Sequence, residues 1–276
     1  MSETAAFLND FREILSYPFV MRAFAAGLLV SLCASMLGVI LVLKRYSLIG
    51  HGLSEVGFAA LSVALALDLP PLYVAAPAVV AASFLIMFIS QKKRMGGDVA
   101  IGIASSAALA FGIIVTAVSR GMNMDVYNYM FGSVLAMSNT DVVLSVALSV
   151  CVLGLFLLFY NRLFLMAYSE DYARSLGLNV TLYQFLISFL TALTVVLGMR
   201  MMGTLLISSL IVMPAVTARR LSKSFRGLVA SSAAISVLCF SAGLLASIFL
   251  NIPTGAGIVS ANVLALTLSG FLRRSP

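Results

Sequence analysis

Few side chains in this sequence are placed to do chemistry. The two that stand out are His51 and Glu55, in the run Leu48-Ile-Gly-His51-Gly-Leu-Ser54-Glu55-Val. His51 is the only histidine. Four residues apart, the two lie on one face of a helix with about 6 Å of rise between them. Their neighbours are apolar, and a carboxylate in hydrocarbon costs at least about 2.5 kcal/mol, so the pair must face the protein interior or water. Two readings are open. Imidazole and carboxylate neutralise each other and lock helix register, or they form part of a divalent-metal site, since both suit zinc and, less selectively, manganese. Two ligands do not complete a coordination shell, and spacing reveals no others.

A second signal is Ser169-Glu-Asp-Tyr-Ala-Arg-Ser-Leu-Gly177-Leu. It reads as a short helix with a serine N-cap, acids in its first turn and a glycine at its end. Such a helix either docks into a soluble partner or is simply a solvated loop. A third is Pro214 in Met213-Pro-Ala-Val-Thr217-Ala, where a missing backbone donor kinks a helix. The freed carbonyls and the Thr217 hydroxyl either line a path or are satisfied by neighbouring helices. The 14 methionines read as gap-fillers rather than copper ligands. Cys33, Cys151 and Cys239 each lie alone in apolar runs, as packing residues do. There is no G-x-x-x-x-G-K-[ST] phosphate loop and no H-E-x-x-H pair, which argues against nucleotide hydrolysis by a P-loop and against zinc proteolysis.

The elements that must position these residues follow from composition. The chain has 276 residues, 62% apolar and 10% charged, against about 25% charged residues in soluble domains. That excludes a soluble enzyme, a disordered chain and a disulfide scaffold, and indicates an all-α polytopic membrane bundle. Nine apolar runs are candidate spans: Phe19–Leu43, Tyr46–Leu67, Leu72–Ser90, Val99–Ser119, Val142–Tyr160, Leu182–Gly198, Met201–Ala218, Gly227–Leu250 and Gly255–Leu272. Leu182–Ala218 as one helix would reach about 55 Å, nearly twice the hydrocarbon thickness, so it must turn back within Gly198–Gly203. Val126–Ser138 is apolar but too short to span, and Asn251-Ile-Pro253-Thr254-Gly255 breaks the chain before the last span.

The net charge of +7 reads as a topology signal, not as a nucleic-acid surface. With the N-terminus outside, the inner side collects Lys44, Arg45, Lys92, Lys93, Arg94, Arg162, Arg174, Arg219, Arg220, Lys223, Arg226, Arg273 and Arg274. The outer side keeps Arg12, Arg22, Arg120 and Arg200. The positive-inside rule selects that orientation. Residues 1–18 carry Glu3, Asp10, Arg12 and Glu13, the wrong composition for a cleavable signal. Phe7, Leu8, Phe11, Ile14 and Leu15 instead recur as an amphipathic interfacial helix. No repeat or linker appears, so residues 19–276 form one transmembrane domain, with an inner loop at residues 161–180.

Five blocks in order resemble the permease subunits of the ABC-3 family of metal-ion importers, with a type II importer-like bundle of about 8–9 spans. They are Lys44-Arg45-Tyr-Ser-Leu-Ile-Gly50, Asp98-Val-Ala-Ile-Gly-Ile103, Tyr129-Met-Phe-Gly-Ser133, Gly203-Thr-Leu-Leu-Ile-Ser-Ser209 with Met213-Pro-Ala-Val-Thr-Ala218, and Pro253-Thr-Gly-Ala256. The family carries an acid and, four residues on, a histidine in an Asp-x-x-Ser-His pattern. Here His51 and Glu55 occupy those positions in exchanged order, with Ser54 retained. The resemblance implies that His51 and Glu55 contact the ion in transit. It also implies that Glu170, Asp171, Ala173 and Gly177 belong to a coupling helix touching an ATPase. Ser54, Pro214, Thr217, Pro253, Thr254 and Gly255 would mark the path and its helix breaks. It further implies a non-catalytic homodimer in a bacterial inner or cytoplasmic membrane, surrounded by lipid. Separate ATPase subunits and an extracytoplasmic metal-binding protein would be its partners, with no permanent cofactor and no nucleic acid. Zinc is the first choice of cargo. Manganese or iron, or a secondary metal transporter needing no ATPase, are the alternatives.

Overall fold

The computed structural model describes residues 18–92, 97–119, 139–250 and 252–272. The N-terminal amphipathic segment, Val126–Ser138 with its Tyr129–Ser133 block, Asn251, and the basic residues Arg12, Lys93, Arg94, Arg120, Arg273 and Arg274 lie outside the described residues.

Backbone polar groups in a bilayer must be satisfied within the protein, which favours helices in long apolar runs. Among the described residues the regular structure is helical: α1 (Pro18–Leu43), α2 (Ile49–Ala66), α3 (Pro71–Lys92), α4 (Gly97–Val118), α5 (Asn139–Leu158), α6 (Tyr160–Tyr168), α7 (Glu170–Ser175), α8 (Val180–Met202), α9 (Thr204–Leu221), α10 (Phe225–Leu250) and α11 (Thr254–Leu272). Eight of these are each long and apolar enough to cross a membrane, whereas α5 and α6, bent by 67° at their junction, qualify only as a pair, either a broken span or a re-entrant loop.

Two segments differ from the sequence reading. The fifth span stops at Leu158, and the region expected as loop from Asn161 begins instead inside α6. The sharp bend lays α6 off the axis of α5. Here the Arg162 guanidinium donates to the Tyr183 hydroxyl at 2.5 Å and lies 5.8 Å from the centre of its ring, tying α6 to α8. The turn expected across Gly198–Gly203 shrinks to one residue. Helix α8 runs on to Met202, and Gly203 alone, at φ 87°, reverses the chain. Only glycine adopts that backbone without strain. The reversal is sharp enough that a Cβ on Gly198 would collide with the Ile207 side chain.

The centre of the bundle is α1, α2, α8 and α9, with α3, α4, α10 and α11 more peripheral. Helix α1 packs against α9, α10, α5 and α8, while α2 is enclosed by α4, α3, α9 and α8. Most span hydroxyls donate to carbonyls of their own helix, as in Ser62 to Phe58, Thr191 to Ile187 and Thr194 to Leu190. Few reach across. Ser232 and Ser236 of α10 donate to the carbonyls of Ser35 and Ser31 of α1, at 3.2 and 3.0 Å. Thr116 of α4 donates to the Ser62 hydroxyl of α2 at 3.1 Å.

Candidate functional site

His51 sits in the first turn of α2, and Glu55 one turn deeper. Gly50 lets α2 approach Ile211 of α9, and a Cβ on Gly52 would lie 2.5 Å from Ile101 Cγ2 of α4. The stripe carrying His51 and Glu55 falls between those two contacts. Nε2 of His51 stands 3.9 Å from Oε1 of Glu55; the imidazole side chain is 54% exposed and the carboxylate 11%. The sequence pattern therefore places both groups on one face, as expected. The pair opens to the protein exterior at the histidine and to the core at the acid. Tetrahedral zinc at about 2.0–2.1 Å from each ligand would space them roughly 3.3 Å apart, so a small rotamer adjustment would let both bind one ion. Among the described residues no cluster of three or more His, Cys, Asp or Glu is arranged to hold a metal. Ser54 is buried and donates to the His51 carbonyl at 2.7 Å, capping the local backbone instead of facing the pair.

The segment before α2 is pinned on three sides. Arg45 takes a left-handed conformation, φ 60°, which closes a tight reversal in which Tyr46 N donates to the Leu41 carbonyl. Gly97, at the start of α4, lies directly against the Tyr46 ring, and Leu48 N donates to Asp98 Oδ1 at 3.4 Å. Lys44 Nζ lies 2.5 Å from Glu170 Oε1 of α7. This last contact was not legible in sequence, because nothing in the chain links position 44 to position 170, and Lys44 reads simply as a topology charge.

Helix α7 forms as its sequence dictates. Ser169 is extended and its hydroxyl accepts from Tyr172 N at 3.3 Å, while Gly177 at φ 77° ends the turn. Ala173 is fully buried and anchors the helix; Asp171, Tyr172 and Arg174 are exposed. Glu170 points inward. It holds Lys44 and accepts from the Gln184 amide of α8 at 2.8 Å. Burial alone would raise the Glu170 carboxyl, but Lys44, Gln184 and Arg174 together hold it below its ordinary value. Burial also pulls the Lys44 ammonium down, against the attraction of Glu170. Burial is the largest single influence on both, but pairing outweighs it at Glu170 and not at Lys44, the more deeply buried partner. Separating a fully buried ion pair costs about 3–5 kcal/mol, and this one costs less because Glu170 keeps some contact with solvent.

Pro214 lies within α9, and the chain remains helical through it. Thr217 is buried, its hydroxyl donating to the Met213 carbonyl at 2.8 Å. At the last break Pro253 is exposed, and Thr254 and Gly255 are buried where α11 begins. Ser247 satisfies the Ile252 carbonyl at 2.6 Å. The structure thus brings His51 and Glu55 together on one face of α2, while the Ser54 and Thr217 hydroxyls bond carbonyls of their own helices. At the end of the bundle shared by Lys44 and α7, a groove of about 620 Å³ is lined by Leu43, Phe164, Tyr168, Arg219, Lys223 and Phe225, among others.

Residues 16–273 match the ABC 3 transport family. The chain belongs to that family. ABC 3 relatives include the manganese transport system membrane protein MntC of Halalkalibacterium halodurans, 28% identical over 249 residues, covering 90% of this chain and 85% of that protein. The high-affinity zinc uptake system membrane protein ZnuB of Haemophilus influenzae is 26% identical over 257 residues, covering 93% and 98%. Among solved structures, PsaBC from Streptococcus pneumoniae in complex with Fab superposes with a TM-score of 0.84 at 26% identity, covering 96% of each chain. As an ABC 3 protein the chain is a multi-pass, bacterial-type membrane protein, and the helical bundle expected from its apolar runs is the one found.

Proposed function

We propose that this chain is the non-catalytic membrane permease of an ATP-dependent importer of divalent metal ions, with zinc as its first cargo. The observation that carries this reading is the His51–Glu55 pair, an imidazole and a carboxylate 3.9 Å apart on one face of a central helix. It accords with relatives named for manganese and for zinc transport. Mixed nitrogen and oxygen donors suit zinc better than manganese, which favours all-oxygen sites. His51 would bind as neutral imidazole while Glu55 offsets part of the ion's charge. The imidazole is open to the exterior of the single chain, so a second copy presenting its own pair across a two-fold axis would supply four ligands.

The positive-inside rule makes the end carrying Lys44, Arg219 and Lys223 cytoplasmic. There the exposed face of α7, with Asp171, would meet a separate ATPase subunit, and an extracytoplasmic binding protein would deliver metal to the opposite end. Nucleotide binding outside this chain would then shift the bundle between outward- and inward-open states. Uptake of zinc and of manganese by vesicles containing the chain, with and without the ATPase subunit, tests this. Zinc uptake that requires both the ATPase and ATP supports the proposal. Uptake by the chain alone, driven by an ion gradient, would mark a secondary transporter instead.

A further inference from the structure

We infer that Lys44 and Glu170 are positioning residues that transmit displacement of α7 to the helix turn bearing His51 and Glu55. This rests on the permease reading above. Helix α7 is only six residues long and exposes Asp171, Tyr172, Arg174 and Ser175, so it has little packing of its own through which to pass a force. Ala173 gives it an apolar anchor, and Glu170 gives it a directed one. The directed contact does not end on a passive surface. Lys44 closes α1, and the chain from Lys44 to Leu48 is a short, closed reversal held by the bonds of Lys44 N to Ile40, Tyr46 N to Leu41 and Ile49 N to Tyr46 carbonyls. Leu48 is further tied to Asp98 at the start of α4. Three residues beyond Leu48 stands His51.

A pull on Glu170 therefore reaches α2 through one ion pair and one stiff turn, while Gln184 couples the same carboxylate to α8. A solvated loop helix would need no such partner. A staple that only stabilised the fold would not require its charged end to land on the reversal that joins α1 to α2. Lys44 is nearly buried, so its ammonium is held in place and not swept by solvent.

The link can be read without transport. Leu48 is exposed and takes a spin label as Leu48→Cys in a background carrying Cys151→Ser, Cys151 being exposed and Cys33 and Cys239 buried. In the assembled complex with its ATPase subunit, addition of a non-hydrolysable ATP analogue should change the label's line shape. Glu170→Gln and Lys44→Gln should abolish that change while leaving ATPase co-purification intact, and uptake per ATP hydrolysed should fall about tenfold. The exchanged pair Lys44→Glu with Glu170→Lys should restore both within about threefold. A nucleotide response that survives in folded Glu170→Gln, or an exchanged pair no better than the single variants, overturns the inference. Where the neutral variants fold poorly, Lys44→Arg and Glu170→Asp keep both charges and should retain the response; its loss in both of them also overturns it. If unaltered protein shows the spectral response but takes up no metal, the permease reading fails and the link stands.

Discussion

Gly38 of α1 presses its backbone against the carbonyl oxygen of Ile211 in α9, so closely that a Cβ at position 38 would overlap that oxygen. The obstructing atom is main chain and cannot rotate away. Gly38→Ala should therefore cost at least the 1–3 kcal/mol, roughly, of an overpacked core, because two helix axes must separate. Gly154→Ala is the control, since a Cβ there meets nothing within 4 Å. Thermal unfolding in detergent should show a clear drop for Gly38→Ala and no drop for Gly154→Ala.

The metal pair makes a paired prediction. His51→Ala and Glu55→Gln should each reduce metal uptake by no less than the roughly 10–100-fold that loss of an outer-shell metal partner costs. Both proteins should insert normally, since His51 is exposed and Gln keeps the size of Glu55. Metal accumulation in cells relying on this importer, beside the amount of protein in the membrane, checks it. Normal accumulation in both variants would remove the pair from the path.

The two neighbouring acids of α7 should separate experimentally. Asp171 faces outward and Glu170 faces Lys44. Asp171→Lys should weaken association with the ATPase, by about tenfold and more at low salt than at high. Hydrogen exchange in α7 should stay unchanged. Glu170→Gln should do the opposite, loosening α7 with little change in ATPase affinity. Equal loss of ATPase binding in both would mean that both acids meet the ATPase directly.

Acid should release α7 only late. The Glu170 carboxyl is held below its ordinary 4.5. A lowered carboxylate contributes stability that is complete above the ordinary value and is lost as pH falls through the lowered one. Between pH 7 and pH 5 the exchange of α7 amides, corrected for intrinsic rate, should be flat, and it should rise only below 4.5. A rise already at pH 6 would assign the anchoring to another group.

Much of this was open to reading in one dimension. Apolar runs bounded by charge marked the spans, and the i, i+4 spacing alone set His51 and Glu55 on one face. The reversal between Leu182 and Ala218 followed from length alone. What stayed hidden depended on partners distant in sequence or on local geometry without a hydropathy signature. The 67° bend after Leu158 falls at the end of the apolar run Val142–Tyr160, and the helix beyond it carries Asn161 and Arg162, which read as the start of a loop. The inward turn of Glu170 could not be told from the outward turn of Asp171, because adjacent acids in one helix turn read alike until Lys44 and Gln184 are placed beside one of them. Pro214 suggested a break, yet the flanking turns of α9 remain helical across it.

The sparse hydroxyl bonds that cross between helices divide the bundle mechanically. Two of them fasten α10 along α1, one fastens α4 to α2, and one ties Ser188 of α8 to the Met87 sulfur of α3. Elsewhere serines and threonines such as Thr191, Thr194 and Thr217 turn back on their own carbonyls and leave apolar faces to meet their neighbours. Such faces slip past one another without exchanging polar partners. Any alternation of access would then be a displacement of slabs, α1 travelling with α10 and α2 with α4, across interfaces made mostly of apolar side chains and crossed by few polar bonds.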